Sequence, residues 1–130
     1  MTPKKVPVAP CSPAERSGRL QQALGFWQSA EDLRELDDDQ RNSIVSLYVL
    51  AGIAASDVIC CARLGERSSS DNHSDATALL KRAAPQLVAP LQRLLSGKSA
   101  AAYGATAASV HRHAEARSAA LKLIDGARAL

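Results

Sequence analysis

The stretch SIVSLYVLAGIAASDVICCARLG, residues 43–65, constrains this chain more than any other part of its sequence. Ile44, Leu47, Tyr48, Ala51, Ala54, Val58 and Cys61 recur at helical spacing and form one stripe. Val45, Leu50, Ile53 and Ile59 fall largely outside that stripe. A helix apolar on so many sides must be covered on all of them: it is the central helix of a bundle, or a second chain sheathes it. Gly52 and Ser56 are four apart and would let another helix approach closely, which points to a homodimer interface along this helix. The stretch is also long enough to span a membrane. Asp57 and the serines within it argue against that, so no membrane partner is expected.

The remaining composition supports helix. Apolar residues make up 46% of the chain and aromatics only 3%. Alanine and leucine dominate and favour helix, while β-branched and aromatic residues are too sparse for a sheet. The expected fold class is therefore all-α, a small bundle in one domain. Residues 1–14 hold prolines at 3, 7, 10 and 13 and read as a disordered Pro-rich tail. The bundle domain is assigned to residues 15–130.

Within that domain, helices are predicted over about 14–34, 39–64, 73–84, 86–97 and 105–128. Leu20, Ala23, Leu24, Trp27 and Ala30 form the apolar stripe of the first, and Ala107, Val110, Ala114, Leu121 and Ile124 that of the last. Asp37, Asp38 and Asp39 place negative charge at the start of the second helix, where its dipole favours it. Gly65 is a C-terminal cap for that helix. Asn72 and Asp75 resemble a capping box for the next. Gly97 and Gly104 bracket a turn or brief helical piece containing Tyr103. Cys60 and Cys61 are adjacent, so on a helix they point apart and do not bond to each other. They read as buried thiols in a reducing compartment. With no apolar block behind the N-terminal lysines, the expected location is cytoplasmic.

Charge is unevenly distributed. Residues 76–130 hold eight Lys/Arg and two acids, a net +6, whereas residues 1–75 carry −3. A basic region of this kind suits a polyanion such as RNA. The alternative is two solvated faces of unlike charge. Lys81, Arg82, Lys98 and Arg112 are the candidate nucleic-acid contacts. His111 and His113 flank Arg112 and diverge on a helix, so a metal site is not expected there. No cofactor is implied, and no recognition helix for duplex DNA stands out.

Only one stretch interrupts the helical pattern: GERSSSDNHSDA, residues 65–76. A helix stop at Gly65 and a restart near Asn72 let Arg67 fold back towards His73. The positive end of the new helix disfavours imidazolium, which inclines His73 towards the neutral form that a base requires. Arg67 stays charged and clamps phosphate with two donors. Such a pair suits RNA cleavage: the histidine takes a proton from a ribose 2′-hydroxyl while the arginine stabilises charge on the phosphoryl oxygens. A loop that merely joins two helices is the competing reading.

An arginine, about four to six residues and then a histidine between two bundle helices resembles the HEPN superfamily. Here the motif is Arg67, Ser-Ser-Ser-Asp-Asn, His73. The preceding LAGIAASDVICCARLGERS resembles the small-residue apolar helix of such proteins. LQRLLSGKSAAAYG, with Lys98 and Tyr103, resembles the segment that follows the motif in many of them. The likeness spans residues 44–128. It implies a four- to five-helix up-and-down bundle that dimerises, and a metal-independent endoribonuclease with Arg67 and His73 at the dimer interface. Many such members are toxins or defence components, and some pair with a nucleotidyltransferase-type antitoxin. Asp57 would be the acid that orients the arginine, with Asn72 supporting the motif. Two departures stand out. Ser68 follows the arginine where Asn, Asp or His is common. Asp75 stands where adenylylated toxins carry tyrosine, which puts that form of control in doubt. Some members are non-catalytic modules that bind a partner protein or nucleic acid, and this is the alternative function.

Overall fold

The computed structural model describes residues 6–98, 101, 104 and 106–130. Among them are five α-helices and two short strands: β1 (Val8–Pro10), α1 (Pro13–Leu36), α2 (Arg41–Leu64), β2 (Glu66–Ser68), α3 (His73–Ala83), α4 (Val88–Ser96) and α5 (Val110–Arg128). A 3-10 turn, Pro85–Leu87, leads into α4. The all-α expectation holds broadly, with the two-stranded sheet as an addition. The Gly97–Gly104 piece containing Tyr103 falls partly on residues outside those described.

Local chemistry sets the helix ends. Ser12 caps α1 by accepting the Glu15 amide at 3.1 Å, and Pro13 occupies the first helical position, where its missing N–H costs nothing. Gly65 ends α2 in the left-handed conformation, φ 69°, and its amide donates to the Cys61 carbonyl at 2.9 Å. Asn72 starts α3 by accepting the Ser74 amide at 2.8 Å. Among the described residues Asp75 returns no side-chain bond, so Asn72 caps without a reciprocal partner. Pro90 lies in the first turn of α4, where a helix makes no use of the amide proline lacks.

The last helix starts at Val110 rather than near 105. The segment before it is tied to the beginning of α2: Arg41 donates to the Ala108 carbonyl at 2.6 Å, and Asn42 exchanges bonds with Thr106 and Ala108. Its buried face also differs from the expected stripe. Ala116, Ala119, Ala120, Leu123, Ile124 and Ala127 are buried, whereas Val110 is 70% exposed.

α2 is the hub. It packs against α1, α3, α4, α5 and β2, and the apolar window that matched a membrane span is 78% buried within this one chain. Ile44, Val45 and Ala54 point to different sides of it, the last two each about 80–100° from the first, and are all buried. Gly52 and Ser56 are consumed inside the fold. A Cβ at Gly52 would collide with Leu94 of α4 and lie 3.2 Å from Leu123 of α5. The close approach that Gly52 permits is therefore made within the chain, by Leu94 of α4 and Leu123 of α5.

Two further corrections concern the N-terminal segment. Residues 8–10 are not a disordered tail; they pair antiparallel with β2, Ala9 opposite Arg67. Cys11 and Cys61, 50 positions apart in sequence, form a disulfide with Cα atoms 5.3 Å apart. Only Cys60 remains a thiol, and burial, then the nearby Asp57 charge, push it up to about 12. The inference from isolated thiols to a reducing compartment loses its basis, because a disulfide persists in oxidising surroundings.

Candidate functional site

The interruption after Gly65 builds a cleft. The Gly65 carbonyl accepts the Cys11 amide at 3.0 Å, and the Ser69 amide donates to the Pro7 carbonyl at 3.1 Å, so β1 holds both ends of β2. Arg67 is the middle residue of that strand. Beyond it, serine side chains stand in for regular structure. Ser68 Oγ accepts the Ser70 amide at 3.4 Å, and Ser70 Oγ accepts the Asn72 amide at 2.9 Å. The chain then enters α3, with His73 as its first residue.

Arg67, His73, Asp57, Asn72 and Lys98 all line one cleft of about 280 Å³, together with Arg19, Asp71 and several serines. The motif pair and its expected supporting residues are thus brought together. Among the described residues the Arg67 and Lys98 side chains form no hydrogen bond or ion pair. His73 is half-buried at the cleft and is held below the ordinary histidine value of 6.5. Burial is the main cause and the Lys98 charge the second, against a smaller opposing pull from Asp71. An imidazole biased towards its neutral form thus shares the cleft with the Arg67 guanidinium and the Lys98 ammonium, and with the Asp57 and Asp71 carboxylates, the first of which is bonded to Arg19.

Asp57 does not orient Arg67 as expected. Its Oδ2 accepts from Arg19 Nε of α1 at 2.9 Å, and Arg67 acts on it only through charge. Burial raises the Asp57 carboxyl above its usual range, against the pull of Arg19 and Arg67. Arg19 went unrecognised in the sequence. The available signal was Asp57 itself: a carboxylate on an otherwise apolar helix needs a base from a neighbouring helix.

The remaining cationic candidates separate. Lys81 lines a second groove beside the cleft, lined also by His73 and Leu95. Arg82 is exposed at the end of α3 and lines neither depression. Arg112 is not a free nucleic-acid contact. It donates to Glu115 at 2.7 Å and to the Leu94 carbonyl at 3.2 Å, and packs so closely over Gly97 that a Cβ there would collide with it. Arg112 thus fastens the end of α4 to α5.

Arg117 is likewise internal. Glu31 of α1 accepts from Arg117, from Arg34 and from the Tyr48 hydroxyl, the last at 2.6 Å, and Arg117 lies 5.5 Å over the Trp27 ring. Burial alone would raise Glu31, but these three donors outweigh it and bring it to about 2. The basic C-terminal half therefore spends two of its cations on the fold. His111 is exposed beside Glu115 and His113 packs against Tyr48, so the two histidines diverge. No model of a known protein family matches the chain, and no curated protein matches it.

Proposed function

We propose that the chain is a HEPN-like, metal-independent endoribonuclease, acting as a homodimer, whose cleft holds the scissile phosphate. One observation carries this reading: Arg67, His73 and Lys98, from three separate segments, line a single cleft with no carboxylate bonded to either cation among the described residues. His73 takes the proton of a ribose 2′-hydroxyl. The freed oxygen attacks phosphorus, and the 5′-oxygen of the next nucleotide leaves and takes a proton from solvent. Arg67 and Lys98 stabilise the charge gathered on the phosphoryl oxygens. The residues supply a base and an electrophile themselves, so the step requires no further group. The bundle topology of this family, with paired sites across a dimer, is part of the proposal.

The test is cleavage of RNA by purified protein. Arg67→Ala and His73→Ala should each reduce the rate at least about a hundredfold while leaving the fold intact. Glu35→Ala, exposed near the end of α1 and not lining the cleft, should not change it. Chelators should have no effect. Cleavage that survives both substitutions would refute the assignment. RNA binding without cleavage, lost on Arg67→Ala, would favour a non-catalytic binding module using the same cleft.

A further inference from the structure

Beside the cleft lies a second and larger depression, about 700 Å³, between α3 and α4. The two adjoin, with His73 and Leu95 in both linings. Their linings differ in kind. The cleft is rich in charge and serine hydroxyls. The groove is lined by the apolar side chains of Ala78, Pro85, Val88 and Leu95, with Ser74, Thr77, Gln92 and Ser96 beside them as hydrogen-bonding groups and Lys81 as its single lysine or arginine. Among the described residues that line it there is no carboxylate. Thr77 Oγ1 donates to the His73 carbonyl at 2.8 Å, which leaves its oxygen lone pairs free to accept.

The geometry points to a nucleobase subsite: the groove takes the base of a nucleotide flanking the phosphate held in the cleft, and Lys81 meets a neighbouring phosphate. The inference rests on the cleft being a phosphate site. Charge complementarity and the adjacency of the two depressions carry it. A polyanion passing the Arg67–Lys98 cleft meets Lys81 in the adjoining depression, while the apolar lining there suits a flat heteroaromatic ring that has left water. Thr77 and Gln92 supply an acceptor and an amide for its polar edge. A base in this groove is unstacked and unpaired, with its edge turned to Thr77 and Gln92. Thr77 and Gln92 then become the residues that discriminate among bases.

The test uses the variant Ala78→Leu/Gln92→Leu, which fills the groove from two exposed helix positions without changing charge. The probes are a short single-stranded RNA with a 2′-deoxy sugar at the cleavage position, the same strand with an abasic nucleotide beside it, and inorganic phosphate. The intact strand should bind the variant at least about tenfold more weakly than wild type, the range for losing one stacked or buried base. The abasic strand should bind both proteins equally weakly. Phosphate should bind both alike, which also shows that the variant is folded. Unchanged affinity of the variant for the intact strand would overturn the subsite and leave the cleft reading standing. Wild type that binds neither phosphate nor RNA would remove both readings together.

Discussion

Replacing Cys11 by alanine should cost this protein much of its stability, and the reason lies in a ring rather than in a contact. Cys11 is only partly buried, so losing its side chain removes little packing. The cross-link, however, spans 50 residues and encloses all of α1 and nearly all of α2. Closing a loop of that length restricts the unfolded chain by about 4 kcal/mol. Domains of this size hold roughly 5–15 kcal/mol in total. With an unfolding entropy that scales with chain length, a loss of about 4 kcal/mol lowers the melting temperature by about 15 °C. The assay is thermal unfolding of wild type and Cys11→Ala, each with and without a dithiol reductant. Reductant should lower wild type to the variant's midpoint and leave the variant unmoved. β1 should suffer separately: its three-residue ladder has little else to hold it, so the amides paired with β2 should exchange faster at temperatures where the helices are intact. A midpoint within about 3 °C of wild type, under 1 kcal/mol, would refute the ring argument.

Other expectations follow from the same contacts. Gly52→Val should destabilise by roughly 1–3 kcal/mol, because Leu94 and Leu123 already occupy the space a side chain needs; an unchanged denaturation midpoint would contradict the packing described for α2. Glu31→Gln should cost roughly 1–3 kcal/mol at neutral pH by weakening the bonds from Arg117 and Arg34. Glu31 is depressed from 4.5 to about 2, so its contribution is fully present above pH 4.5 and is lost as pH falls towards 2. Wild type and Glu31→Gln should therefore converge in stability over that window, as acid titrations of both would reveal. Lys98→Ala should weaken RNA binding and flatten its salt dependence. Arg112→Ala should instead lower the melting temperature and leave the salt slope unchanged, since its charge already belongs to Glu115. If His73 is the base, the acid limb of the rate profile should lie below pH 6.5, and Lys98→Ala should move it upward, because the ammonium helps to keep the imidazole neutral.

The helices were legible because their signals are local. Ser12, Gly65 and Asn72 announce ends through their own side chains or backbone freedom, and the α2 stripe announces a core. The face of α5 was not legible. Alanines lie all round that helix, so periodicity could not choose among them, and Arg117 settles the choice by reaching Glu31 on α1. The disulfide was hidden for a similar reason. Cys11 sits among prolines, and only the pairing of β1 with β2 carries it to the end of α2. At the cleft, Arg67 and His73 were visible as polar residues in an apolar sequence, as was Asp57. That Asp57 bonds Arg19, and that Arg112 turns inward to Leu94, are tertiary facts that no spacing along the chain encodes.

The cleft draws on almost every element. Arg19 comes from α1, Asp57 from α2, Arg67 from β2 and His73 from α3, with Leu91 and Leu95 from α4 and Lys98 just beyond it. α5 contributes no lining residue to it. The molecule is thus partitioned into segments that must keep register with one another and a C-terminal helix that lends the cleft no side chain and acts on it only through its bonds and packing to the rest. A drift of any of the first group by a fraction of an ångström changes the distances among charges in the cleft. α5 is free to exchange its solvent-facing residues, or to carry an appended sequence, without the cleft registering it. Substitutions on the outer face of α5 should accumulate most freely among related chains, and a fluorophore or purification handle belongs at that end.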